Sequence, residues 1–175
     1  MLPRQILISN QHIELANRAM SQSDYDAIIL GQGLAGTTLA WNLRWQGCRV
    51  LVIDRNRPGT SSQIAAGLMT PITGQRLVQS WRWTEFWGSA VAFYRRVESE
   101  TNVRFLDPRP MVRLLASESE QDFLQRRLTS EFAHLINEPQ PPLDPQIFDD
   151  RFGAFEMHEG GRLDVAAFLQ ASRQQ

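Results

Sequence analysis

Residues 24–55, DYDAIILGQGLAGTTLAWNLRWQGCRVLVIDR, decide the fold. Ala27-Ile28-Ile29-Leu30 is an apolar run long enough for a buried strand and too short for a helix. Gly31-Gln32-Gly33-Leu34-Ala35-Gly36 follows at once and fits G-x-G-x-x-G. A helix is predicted from about Leu34 to Gln46, with Gly47 at its C-terminal stop. Arg49-Val50-Leu51-Val52-Ile53 is a second β-branched run, and it ends on Asp54.

Each glycine has a physical task in such a turn. Gly31 permits the tight bend off the strand, Gly33 lets a pyrophosphate approach the backbone, and Gly36 lets the helix lie close on the sheet. The N–H groups at the helix start, at Leu34 and Ala35, then face the phosphates along the helix dipole. Asp54 stands 23 residues after Gly31, where a carboxylate accepts hydrogen bonds from the hydroxyls of an adenosine ribose. Dinucleotide binding is the expectation; the alternative is a glycine-rich turn in an unrelated α/β domain. The motif alone does not separate FAD from NAD.

The chain has 175 residues, enough for one domain or a little more. It is 42% hydrophobic and 21% charged, so it can bury a core, and its net charge of −1 gives no pointer to nucleic acid or an anionic membrane. Cys48 is the single cysteine, so there is no intrachain disulfide and a reducing, cytoplasmic compartment is expected. Its place beside Gly47, between helix and strand, reads as structural. No run approaches the ~18 apolar residues of a membrane span. Residues 1–23 lack an apolar signal core, carry Arg4, Glu14 and Arg18, and read as an N-terminal extension.

After Asp54 a polar loop with a Pro58-Gly59 turn leads into Gln63-Ile64-Ala65-Ala66-Gly67-Leu68-Met69-Thr70-Pro71 and on to Arg76. This loop is small-residue-rich yet apolar, and is expected to be buried. Its flat neighbour is either another element of the fold or a cofactor ring.

The two segments together resemble the start of FAD-dependent oxidoreductases of the D-amino-acid oxidase type. The resemblance rests on the strand–GxGxxG–helix–strand–acid unit and on SSQIAAGLMTP, which matches the family's flavin-lining loop in type and position. It implies FAD as cofactor and oxidation of an amine or amino-acid C–N bond by hydride transfer to flavin. It also implies that Gly31, Gly33 and Gly36 hold the pyrophosphate, that Asp54 holds the ribose and that Arg55 flanks the adenosine. Ser61 and Ser62 would contact the pyrophosphate side, and Ala65, Ala66, Gly67 and Met69 would lie near the isoalloxazine. Members of the family are longer. The chain is therefore expected to be an N-terminal part, with a C-terminal half or a second copy as possible partners and an amine or amino acid as substrate.

Beyond the loop, Trp83, Phe86, Trp87, Ala90, Tyr94 and Val97 recur at helical spacing and read as a core stripe. Trp81 lies off that stripe. Arg76 and Arg82 are read as solvated or ion-paired cations, with contact to an anionic substrate or cofactor phosphate as the alternative. Strands are expected at Val103–Leu106 and Met111–Leu115, joined as a hairpin by Asp107-Pro108-Arg109-Pro110. Ser117 to Glu120 is a capping box opening a helix with Phe123, Leu124, Leu128, Phe132 and Leu135 on one face, and His134 near its end as a C-terminal cap. EPQPPLDP, residues 138–145, is an extended connector. A strand at residues 152–158, a turn at 159–162 and a helix capped by Asp164 complete the chain. That ending resembles the family's substrate domain more faintly. His12, His134 and His158 are scattered, and neither metal spacing nor a Ser-His-Asp constellation is present.

The expected architecture is α/β: a Rossmann-like FAD-binding part over residues 24–100 and the beginning of an α+β substrate domain over 101–175, together an incomplete fold. An NAD-dependent dehydrogenase is the nearest rival, but it would need a second βαβ unit for the nicotinamide half. A truncated non-catalytic nucleotide-binding module, or a subunit of a split enzyme, is the rival from another class. No catalytic residue and no metal site are assigned.

Overall fold

The computed structural model describes residues 24–128, 134–137 and 143–175. The chain divides into two compact units, residues 1–58 and 59–175.

In the first unit, β1 (Ala27–Leu30) leads through the glycine turn into α1 (Leu34–Trp45) and back to β2 (Val50–Ile53). The strands pair in parallel, Ala27 opposite Val50 and Leu30 opposite Ile53. A parallel pair needs a crossover, and α1 supplies it. Ile29 is buried toward α1, since the position of a Cβ on Gly36 would lie 3.2 Å from its side chain. Strand side chains alternate between faces. Ile28, Leu30 and Ile53 therefore share the opposite face, and they are exposed. Asp26 and Arg49 precede the two strands and clamp their starts. The Asp26 carboxylate accepts the Arg49 N–H at 2.7 Å and pairs with its guanidinium at 3.0 Å. Hydrogen bonds from Arg49 hold the Asp26 carboxyl below its usual range.

The second unit opens with α2 (Ser61–Ile64), β3 (Leu68–Met69) and the hairpin β4 (Ile72–Thr73) and β5 (Val78–Gln79). The long α3 (Trp83–Thr101) follows, then β6 (Leu106–Pro108), β7 (Met111–Leu114), α4 (Glu118–Leu128), β8 (Ile136–Asn137), β9 (Ala154–Met157), β10 (Gly161–Leu163) and α5 (Val165–Arg173). Two antiparallel three-stranded sheets result, in the orders β3-β10-β6 and β7-β9-β8.

The expected hairpin between the strands around Pro108 does not form. β6 pairs with β10 and β7 with β9. Two alternating prolines explain this: the residue before a proline is driven to extended backbone, so Asp107 and Arg109 cannot close a tight turn and the chain passes from one sheet to the other. His134 and Leu135 lie in a turn ahead of β8 rather than in a helix, and Leu135 is buried there. His134 is exposed, and residues 129–133 before it lie outside the described residues. Phe132 and residues 138–142 of the proline-rich stretch lie outside the described residues.

The core of the second unit gathers Ile72, Leu77, Trp83, Leu115, Leu124, Phe155 and Met157 from the sheets, α3 and α4. Beside them Phe168 of α5 is fully buried and meets Phe93, Tyr94 and Phe105 edge-on, with ring centroids 5.2–6.3 Å apart. The helical stripe of α3 is core as expected for Trp83, Trp87, Tyr94 and Val97, but Phe86 is 44% exposed. At 3.6 residues per turn it sits about 60° round the helix from Trp83, at the rim of the stripe.

Among the described residues two carboxylates are buried. Glu98 accepts the N–H groups of Phe105 and Leu106, each at 2.8 Å, and pairs with Arg95 at 2.7 Å. Burial pushes its carboxyl up, but those hydrogen bonds outweigh burial and hold it below the usual range. Glu120 belongs to the expected capping box in a shifted form. Its N–H donates to the Ser117 hydroxyl, while its carboxylate accepts from Ala116, one residue upstream, and from Arg113 at 3.1 Å. At α5, Asp164 is the N-cap and accepts the Ala167 N–H at 3.0 Å.

Candidate cofactor site

In the first unit the structure brings Gly31, Gly33, Leu34, Ala35, Gly36 and Asp54 together around the start of α1. Gly31 has φ +98°, a left-handed conformation that a side chain would strain. Its N–H donates to the Ile53 carbonyl at 2.8 Å, which ties the turn to the end of β2. Gly36 admits no Cβ: the atom would fall 2.0 Å from the Gly31 carbonyl oxygen. Helix and turn are therefore in backbone contact, the close approach assigned to this glycine from the motif.

Gly33 is the N-cap of α1, and its lack of a side chain leaves the cap hydrogen bond unmade. The first turn carries no acidic residue. The helix N-terminus thus presents the positive end of its dipole with no acid beside it. Thr37, in the next turn, is 1% exposed, and its hydroxyl has no hydrogen-bond partner among the described residues.

Asp54 closes the site. Its Oδ2 accepts the Gln32 N–H inside the glycine turn at 2.7 Å, and its Oδ1 accepts the Asn56 N–H at 2.6 Å. The carboxylate is exposed. Arg55 follows it, exposed. No residue pattern pointed to the Gln32 bond, because the residue between the glycines acts here through its backbone. The Asp26–Arg49 clamp was also missed, although opposite charges immediately before paired strands are a readable signal.

In the second unit the remaining candidates form one segment. Ser61 and Ser62 open α2, where the Thr60 N–H donates to the Gln63 side chain at 3.3 Å. The loop beyond was expected to be buried; Pro71 and Ile72 are, but its first part is not. Ile64 is 75% and Leu68 59% exposed, and Ala65 and Ala66 are exposed as well. An apolar, small-residue surface therefore faces outward. Gly67 faces another element of the fold: at φ +72°, a Cβ there would lie 1.9 Å from the Leu163 carbonyl oxygen. The Gly67 carbonyl accepts the Leu163 N–H at 2.9 Å, extending the β3–β10 pairing. Met69 is half-buried against the core. Trp81 is 76% exposed against Phe86, and Arg82 pairs with Glu85, so Arg82 is an ion-paired surface cation.

Among the described residues no helix is long and apolar enough to cross a membrane, and no group of three or more His, Cys, Asp or Glu is arranged to hold a metal ion.

A parallel βαβ unit with a glycine-rich, uncapped helix start and a carboxylate closing it defines a dinucleotide-binding protein. Residues 26–175 match the FAD dependent oxidoreductase (DAO) family, and the chain belongs to that family. The fold is shared with the glycine oxidase of Geobacillus kaustophilus, with a TM-score of 0.63 at 20% identity over 85% of this chain and 44% of that one. It is shared likewise with the glycine oxidase of Bacillus cereus ATCC 14579, with a TM-score of 0.59 at 16% identity over 86% of this chain and 44% of that one. An uncharacterized oxidoreductase of Bacillus subtilis (strain 168), YurR, is 44% identical over 54 residues, which is 31% of this chain and 14% of YurR. The chain thus spans less than half the length of these relatives. FAD is the cofactor of the family, and the residues present fit it. The uncapped helix start suits a pyrophosphate, Gly31 and Gly36 keep the backbone open and close-packed, and Asp54 offers acceptors to a ribose.

Proposed function

We propose that this chain forms the FAD-binding part of an oxidoreductase that oxidises the C–N bond of an amine or amino acid. The observation that carries the reading is the glycine turn at the start of α1, bridged to the Asp54 carboxylate through the Gln32 N–H. The N–H groups of Leu34 and Ala35, with Gly31, Gly33 and Gly36, hold the pyrophosphate. Asp54 accepts from the ribose, and Arg55 flanks the adenosine. Ser61 and Ser62 contact the pyrophosphate side, and the exposed Ala65 and Ala66, with Gly67 and Met69, border the flavin ring. FAD, when bound, would supply the acceptor for a hydride from the carbon next to nitrogen. This chain's residues bind, orient and exclude water; none of them is assigned a proton transfer.

The substrate class draws support from the glycine oxidases that share the fold. The bare apolar face of β1 and β2 supports a further polypeptide segment covering it, since parallel sheets occur with both faces covered. Incubation of the chain with FAD, followed by desalting, tests the reading. Retained absorbance near ~450 nm is expected, together with its loss in Gly36→Ala and its weakening in Asp54→Ala. A folded chain that retains no flavin, or that retains it equally in Gly36→Ala, overturns the assignment.

A further inference from the structure

We infer, on the reading of residues 65–69 as the flavin border, that Glu159 is a positioning residue for that segment and acts on it through the stacked rings of Trp83 and Trp87. Glu159 stands half-buried in the turn between β9 and β10. Its Oε2 accepts the Nε1–H of Trp83 at 3.0 Å, across 76 residues of chain. Trp83 is 8% exposed, and a buried indole N–H is costly to leave unpaired, so this bond fixes the turn of the ring. Trp83 in turn stacks on Trp87, with centroids 5.0 Å apart and planes 13° from parallel.

The Trp87 ring reaches β10. A Cβ on Gly161 would lie 3.2 Å from Trp87 Cη2 and 2.8 Å from the Asp107 carbonyl oxygen. Gly161 stands opposite Met69 in the β10–β3 pairing. Gly160, with φ +154°, would place a Cβ 3.0 Å from the Met69 carbonyl oxygen. Gly67 meets the Leu163 carbonyl with still less room. At these three glycines ring meets backbone and backbone meets backbone.

Close packing of this kind transmits displacement. A side chain between ring and strand could change rotamer and absorb a tilt of the indole; a glycine cannot. The depth of β10 is therefore set by the indole pair, and β3 and the loop before it follow β10. Glu159 holds both ends of this line, since it lies on the turn into β10 and bonds the ring at the start of α3. Its carboxylate suits the task, because a hydrogen bond to a charged acceptor is stronger than one between neutral groups.

Hydrogen exchange of the purified chain, read by mass spectrometry over residues 65–70, tests the support without any cofactor. Glu159→Leu is expected to speed exchange there about tenfold, the weight of one hydrogen bond to a charged group. Glu159→Gln is expected to restore the parent rate, because an amide oxygen still accepts from the indole. Leu124→Ala, a core truncation in α4, is expected to lower the unfolding temperature and leave the rate at 65–70 unchanged. Trp83→Phe removes the donor and keeps a ring on Trp87; it is expected to match Glu159→Leu and decides if that variant does not fold. The dissociation constant for FAD is expected to rise about tenfold in Glu159→Leu and to return in Glu159→Gln. Exchange that is unchanged in Glu159→Leu, not restored in Glu159→Gln or equally fast in Leu124→Ala overturns the inference, as does an FAD affinity that stays the same while exchange quickens. A parent chain that takes up no FAD defeats the flavin reading itself, and the exchange rates then decide the support alone.

Discussion

The two units invert what their strands suggest. The first holds the most uniformly apolar strands of the chain, AIIL and VLVI, yet Leu30 is 80%, Ile28 61% and Ile53 50% exposed. The second is built from strands that are no longer than these and more mixed, yet Phe168, Val97 and Leu77 are fully buried. An apolar run on both faces marks a strand made to be covered twice, and α1 covers one face of β1 and β2. An alternating strand needs one cover, and β9 obtains it, with Phe155 and Met157 inward and Glu156 on the other face. Strand apolarity thus measures how many layers a sheet requires, and packing decides how many it has.

The largest effect expected from a single change lies in the second unit. Phe168→Ala removes a ring with three aromatic neighbours and should cost about 3–5 kcal/mol in urea or thermal unfolding. A cost no greater than that of a surface change would end the contrast between the units. Glu98→Ala comes next, at about 2–4 kcal/mol, because it strands the N–H groups of Phe105 and Leu106 inside the fold. The same group gives the unit a pH dependence. Its folded carboxyl titrates below the usual range, so its contribution is complete at neutral pH and is lost as acidification carries the pH down through the folded value. Glu98→Gln should flatten that acid limb, and an unchanged limb would mean that other carboxylates set it. Leu30→Ser stands at the small end. Its stability change should fall within about 0.5 kcal/mol, and light scattering should report less aggregation as the bare apolar face shrinks. A large loss of stability would show that Leu30 is covered in solution.

Much of the site was legible because it is local. Gly31, Gly36 and Asp54 sit on one βαβ unit, where spacing along the chain fixes spacing in space. Asp164 was legible for the same reason, since a cap acts within one turn of its own helix. The second segment was read less well. Composition indicated that Ala65 to Leu68 lie against something flat but not on which side; the Ile64, Ala65, Ala66 and Leu68 side chains face outward, while the backbone of Gly67 and Leu68 meets β10. The hairpin around Pro108 failed because strand pairing partners are chosen by β9 and β10, about fifty residues further along.

The sequence by itself determined the turn chemistry, the parallel βαβ unit, the acid that closes it and the helical face of α3, since each depends on backbone sterics or periodicity over a few residues. Tertiary structure alone decided that β6 and β7 part into separate sheets, that Glu98 is buried among backbone donors, that Gly67 meets Leu163 and that Phe86 joins Trp81 at the surface. Those outcomes depend on which distant segments compete for the same hydrogen bonds and the same buried volume, and no local pattern encodes that competition.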